Sequence, residues 1–230
     1  MQNEIEKIAE RYERRKAVVG GRYARFNPEV IAGTQERQRA LVSLLKAQGI
    51  ADLAGVDVLE IGCGSGSNLQ ELLLLGAKPE NLVGNELLPE RAEQARHVLP
   101  QAVRLFPGDA STLPFEQASF DIVYQSTVFS SILDDALQSR IADAMWRWVR
   151  PGGGVLWYDF TFNNPSNPDV RGVPLKRVRE LFPQGRISVR RVTLAPPISR
   201  RVVRIHPAMY GVFNALSLLR THVLCFIQKP

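Results

Sequence analysis

Gly62, Gly64 and Gly66 alternate with Cys63 and Ser65, and Glu60 stands two residues ahead of them. The apolar run that contains Glu60 ends in this loop, and a helix expected over 68–75 begins just after it. Glycine tolerates positive φ and has no Cβ, so such a loop lets a ligand approach the backbone. The helix start points its free N–H groups at the same place. Three further polar residues follow apolar runs downstream: Glu86, Asp109 and Gln125. A carboxylate carries two acceptor oxygens, so it can hold a pair of hydroxyls or receive an amino group.

These residues need a scaffold that brings distant turns together. Apolar stretches expected as strands run over 57–61, 81–85, 103–106, 120–124 and 155–159. Helices expected over 68–75, 89–98 and 135–149 alternate with them, the second with Pro89 well placed for a helix start. This alternation implies an open, mostly parallel α/β sheet with helices on both faces. Ligands of such sheets bind outside the carboxyl ends of the strands, where Glu86, Asp109 and Gln125 fall. Pro151-Gly152-Gly153-Gly154 reads as a turn before the fifth strand. Upstream, charged residues 3–16 read as a helix broken by Gly20-Gly21, and a second helix is expected over 28–48. Downstream, strands are expected over 187–194 and 222–228, with an apolar helix over 208–219 between them.

The loop resembles motif I of the class I S-adenosylmethionine (SAM) methyltransferases, an acid followed by x-G-x-G-x-G. A dinucleotide fingerprint would put its third glycine where Ser67 stands, which argues against a nicotinamide dehydrogenase. The resemblance covers roughly residues 55–160. It implies a Rossmann-like fold with a seven-stranded sheet and an N-terminal helical lid. It divides one domain over 1–230 into a cap (1–50), a SAM-binding core (55–160) and a substrate-side segment (161–230). The resemblance implies that Glu60, Gly62, Cys63, Gly64 and Gly66 line the methionine and ribose portion of SAM. Glu86 would hold the ribose hydroxyls beside Leu87, Asp109 and Ala110 would meet the adenine edge, and Gln125 would lie near the methionine amino group. Tyr23 would close over the cofactor with Phe26. The acid after the second strand is Glu86 preceded by Asn85, where the family more often has Asp after an apolar residue.

Further segments, among them Arg22–Pro28 and Trp157–Phe160, resemble bacterial methyltransferases of polysaccharide or secondary-metabolite pathways. That likeness implies methyl transfer to oxygen or nitrogen of a small molecule or glycan, with S-adenosylhomocysteine as product. Candidates for the base are Asp159 first, then Tyr158 and His222, with His206 further off. No [DN]-P-P-[YFW] motif follows the fourth strand, which argues against amino methylation of adenine or glutamine. No histidine and carboxylate spacing suggests a metal.

Length and composition fit one globular domain. No apolar stretch approaches a membrane span, and the charged N-terminal residues do not read as a secretory signal. Cys63 and Cys225 have no metal-ligand spacing and read as reduced thiols of a cytoplasmic protein. The net charge of +6 gathers in the C-terminal third, from Arg171 to Arg204. That basicity keeps an RNA methyltransferase as the first alternative and membrane contact as an open partner. Against RNA, the arginines alternate with prolines and apolar residues. A non-catalytic SAM-fold partner subunit is a second alternative, and a homodimer stays open.

Overall fold

The computed structural model describes residues 4–19, 21, 24–163 and 167–230. Tyr23 and part of the Asn163-Asn164-Pro165 segment lie outside them. Seven strands form one sheet: β1 (Val58–Ile61), β2 (Leu82–Glu86), β3 (Arg104–Pro107), β4 (Phe120–Ser126), β5 (Val149–Phe160), β6 (Arg186–Leu194) and β7 (Arg220–Gln228). Their order is β3-β2-β1-β4-β5-β7-β6. β1 to β5 run parallel, and β7 lies antiparallel to both β5 and β6. The chain builds outward from β1 to β3 and then returns to β1's other side with β4. The switch point therefore lies between β1 and β4, where such sheets open a crevice for ligands.

Eight α-helices lie among the described residues: α1 (Glu4–Val19), α2 (Pro28–Ala47), α3 (Ser67–Leu74), α4 (Pro89–Val98), α5 (Asp135–Trp148), α6 (Leu175–Leu181), α7 (Pro196–Ile205) and α8 (Met209–Asn214). Prolines open α2 and α4, and Asp134 caps α5 by accepting from the Leu137 N–H at 2.7 Å. Strand side chains alternate between faces. Leu59 and Ile61 of β1 join Ile8, Leu137, Ile141 and Met145, which belong to α1 and α5. Val58 joins Leu41, Leu44 and Leu69 of α2 and α3. Each fully buried Leu, Ile or Phe contributes roughly 1.5–3 kcal/mol.

Two expectations are corrected. Pro151–Gly154 is not a turn ahead of a strand, because β5 already begins at Val149. The β4–β5 register shifts there, and the Gly152 N–H donates to the Lys229 carbonyl, so the glycine run is an irregular strand segment tied to the chain's end. The apolar helix expected over 208–219 is a short α8 followed by a single 3₁₀ turn at Ser217–Leu219. Gly211 and Asn214 are weak helix formers that lie within α8 and at its end, so intrinsic propensity does little to carry the helix onward. α6 and α7 add two helices in a stretch where the sequence pattern sets no expectation. α7 starts on Pro196-Pro197, a pair that fits the first helical turn.

Candidate active site

At the carboxyl ends of β1 to β4 lies a cavity of about 100 Å³. Gly62, Glu86, Leu87, Asp109 and Ala110 line it, as do Asn85, Arg91 and the β4 exit Ser126–Val128. Ile5, Ile8 and Tyr12 of α1 cover it. Arg11 fixes α1 there by donating to the Ser131 carbonyl at 3.1 Å, and its guanidinium also pairs with Glu4.

The glycines are required by geometry. Gly62 has φ +65°, and a Cβ on it would stand 2.5 Å from Val128 Cγ2. Gly64 has φ +59°, with Arg91 where a Cβ would go. Gly66, at φ +85°, precedes the first residue of α3. Glu86 holds the loop in place: its Oε2 accepts from the Gly64 N–H at 2.7 Å and its Oε1 from the Leu88 N–H at 2.9 Å. Each oxygen keeps acceptor capacity toward the cavity. Asn85, the residue that departs from the family pattern, donates to the carbonyls of Phe106 and Gly108 at 3.0 and 2.9 Å. It ties β2 to the turn bearing Asp109, whose Oδ1 accepts from the Ser111 N–H.

Other expected residues lie off the cavity wall. Glu60 is fully buried on the α2–α3 face, where Oε1 accepts from Asn68 at 2.6 Å and Oε2 has no partner. Burial pushes its carboxyl up to about 7. Arg37 lies nearby, in a 2.9 Å ion pair with Glu71. Cys63 is buried with its thiol pushed up by desolvation, and it is not among the cavity-lining residues. Gln125 is also fully buried, its amide taken by the Val128 N–H and the Tyr158 carbonyl.

The three candidates for the base are divided between the two faces of the sheet. Asp159 has no exposure, and its oxygens accept from the Ser130 and Phe160 N–H groups at 3.1 and 3.0 Å. Burial raises its carboxyl to about 7. It sits behind the turn that carries Ser131 to the cavity rather than in the cavity itself. Tyr158 points to the α2 face, stacked on His222 at 5.0 Å, with its hydroxyl 2.8 Å from Thr193 Oγ1. His222 is held near 4 by burial, so its imidazole is neutral at physiological pH. Its Nδ1 meets Thr221 Oγ1 at 3.0 Å. His206 is exposed on the far end of α7.

Sequence reasoning missed Arg91, Tyr12 and Thr127. The Arg91 guanidinium lies 5.2 Å from the Tyr12 ring centre, which links α4 to α1 across the cavity. Thr127 adopts φ +57°, strained for a β-branched residue. No local signal marks Arg91 or Tyr12, because their meeting depends on how α1 docks. Among the described residues no cluster of His, Cys, Asp and Glu has metal-binding geometry. An open groove of about 660 Å³ between α2 and α3 contains none of the expected cofactor residues.

Residues 58–153 match the family model described as a methyltransferase domain. A phthiotriol/phenolphthiotriol dimycocerosates methyltransferase of Mycobacterium ulcerans is 33% identical over 137 residues, 56% of this chain and 48% of that protein. A tRNA N(3)-methylcytidine methyltransferase of Drosophila melanogaster is 31% identical over 111 residues, 45% of this chain and 34% of that one. The chain spans about half the length of the mycobacterial relatives it matches. A SAM-dependent methyltransferase from Thermotoga maritima shares the fold with a TM-score of 0.59 at 18% identity, covering 100% of both chains. The matched domain, the fold and the glycine loop together support reading residues 58–153 as a class I SAM-dependent methyltransferase domain, with SAM as the cofactor.

Proposed function

We propose that this chain transfers the methyl group of SAM to an oxygen or nitrogen of a small-molecule or glycan acceptor. The observation that carries this reading is the cavity at the β1–β4 switch point, where Glu86 and Asp109 present carboxylates beside a loop that only glycine can form. The residues fit SAM. Glu86 suits the ribose hydroxyls, and Asp109 with Ala110 suits the adenine edge. Arg91 offers a cation for the methionine carboxylate. Glu60 Oε2, buried and unpartnered, is the kind of acceptor that a cationic amino group or a bridging water would complete.

SAM supplies an already activated methyl group, so the chain's own work is alignment, exclusion of water and proton removal. α1 serves as a lid. With Ile5, Ile8 and Tyr12 in place the cavity is about 100 Å³, smaller than the roughly 300–1,000 Å³ of ordinary ligand sites. Cofactor entry therefore shifts α1, while α2 packs on a face of the sheet and takes no part in the cover. None of the three candidates for the base lines the cavity: Asp159 positions the 129–131 turn, and Tyr158 and His222 stack on the opposite face.

Calorimetric titration with SAM and S-adenosylhomocysteine tests the cofactor reading, and methyl release from labelled SAM over an acceptor screen tests turnover. Micromolar binding that collapses in Glu86→Ala supports the reading. Folded protein that binds neither compound overturns it. An RNA acceptor is the second reading, favoured by the basic C-terminal third and the fly relative; salt-sensitive tRNA methylation would establish it.

A further inference from the structure

From Leu181 to Pro230 the chain contains seven arginines, one lysine and no acid. The remaining 180 residues therefore carry a net charge of −2, and the whole basic excess belongs to this last stretch. Within it, α7, α8 and the 3₁₀ turn at Ser217–Leu219 form an excursion between β6 and β7. β6 runs parallel to β5, since both lie antiparallel to β7. The excursion thus leaves the sheet at the same carboxyl edge that holds the cavity.

The excursion has its own small core of Leu194, Val202, Val203 and Tyr210, and the Tyr210 hydroxyl accepts from the Leu194 N–H. It is a folded unit. Yet it leaves four large apolar side chains outside that core: Ile205, Val212, Leu216 and Leu218, exposed by 78%, 61%, 59% and 92%. Arg201 and Arg204 are exposed beside them, and Arg200 partly so. None of the three arginines has a hydrogen-bond or ion-pair partner among the described residues. Arg186, Arg190 and Arg191 lie on β6, the edge strand, where charge guards against edge-to-edge pairing and needs no ligand. The α7 arginines have no such role.

We propose that the α7–α8 excursion docks on an anionic lipid surface, with the arginines at the headgroups and the four apolar side chains in the interface. Basic and apolar side chains combined on a short helical element are the pattern that binds in the plane of a membrane. Nucleic acid fits less well, because single strands are gripped by exposed aromatic rings and this face offers aliphatic ones. No described helix is long and apolar enough to cross a membrane, so attachment is peripheral. Docking in this way turns the carboxyl edge of the sheet toward the bilayer. The proposal concerns binding alone and does not depend on the methyl-transfer reading.

Sedimentation of the full chain with phosphatidylcholine vesicles, with and without phosphatidylglycerol, tests it at low and raised salt. The wild type is expected to pellet with the anionic vesicles and to be released by salt. Each arginine near such a surface strengthens binding roughly fivefold, so Arg201→Gln/Arg204→Gln loses about 25-fold. Val212→Ser/Leu216→Ser/Leu218→Ser loses roughly tenfold or more. Arg190→Gln/Arg191→Gln on the edge strand stays within about twofold of the wild type, because its arginines lie outside the excursion. All replaced residues are exposed, and melting curves check that the variants fold. Failure of the wild type to pellet overturns the proposal, as does undiminished pelleting of Arg201→Gln/Arg204→Gln. Binding to tRNA through the same arginines, without vesicle binding, assigns the face to nucleic acid and overturns it equally.

Discussion

The two halves of the sheet use their carboxyl edges differently. On the β3-β2-β1-β4 side, short turns hold Glu86 and Asp109 against a cavity, and the acids are fixed by backbone N–H groups a few residues away in space. On the β5-β7-β6 side, Asp159 is fixed in the same manner but is sealed from the cavity, while Tyr158 and His222 stack on the opposite face. A carboxylate at a strand end accepting two N–H bonds is thus one structural device with two uses. Whether a cavity lies in front of it decides which.

The largest effect should come from the loop that defines the first half. Gly62→Ala combines a positive φ with a Cβ 2.5 Å from Val128. Strain and overpacking each cost about 1–3 kcal/mol. The expected result is a lower melting temperature and no measurable SAM binding by calorimetry. A variant that melted and bound like the wild type would show that the loop is not held as described.

The comparison sharpens next with a matched pair. Glu86→Ala and Asp159→Ala each leave two buried N–H groups without an acceptor, at about 1–3 kcal/mol per group. Urea unfolding should show similar losses for both. SAM affinity should fall at least tenfold in Glu86→Ala and change little in Asp159→Ala. Equal loss of affinity would place Asp159 in the cofactor site and dissolve the distinction between the halves.

That distinction also explains what the sequence disclosed. Gly62, Gly64, Gly66, Glu86 and Asp109 were legible because their geometry rests on local backbone: positive φ, a short turn, an acid at a strand end. β1 to β5 and the helices among them were legible for the same reason, through periodicity and flanking Pro and Gly. Tyr158 and Asp159 cannot both face one site, because neighbours on a strand point opposite ways. Arg91, Tyr12 and the pairing of Tyr158 with His222 were not legible, since each depends on side chains brought together from distant parts of the chain. Ser217 and Asn214 hid in an apolar stretch that only tertiary packing divides into α8 and a separate turn.

Glu60 gives a pH-dependent test. Its carboxyl is raised to about 7, so the folded state holds the proton more tightly than the unfolded chain. Its contribution to stability is therefore present below the ordinary carboxylate range and lost as pH rises through about 7. Glu60→Gln removes that dependence. The variant should gain stability over the wild type at pH 8 and not at pH 5, while binding SAM more weakly. Asp159, also raised to about 7, contributes a parallel loss in both proteins, so the difference between them isolates Glu60. A constant stability difference across that range would refute the shift.

The smallest effect again sets one half against the other. Two threonines hold positive φ: Thr127 at +57° after β4 and Thr193 at +64° in β6. Thr127 spends its hydroxyl on the adjacent Ser126 carbonyl, so Thr127→Gly relieves strain at little cost. The Thr193 hydroxyl shares a hydrogen bond with that of Tyr158 and its N–H donates to Glu36, and glycine would keep only the second bond. Thr127→Gly should therefore stabilise by about 1 kcal/mol, while Thr193→Gly should come out near zero as strain relief and the lost hydrogen bond offset each other. Since Thr127 lines the cavity, its relief should come with weaker SAM binding. A stabilised Thr127→Gly with undiminished affinity would mean that the strain at the β4 exit serves the fold and not the cofactor.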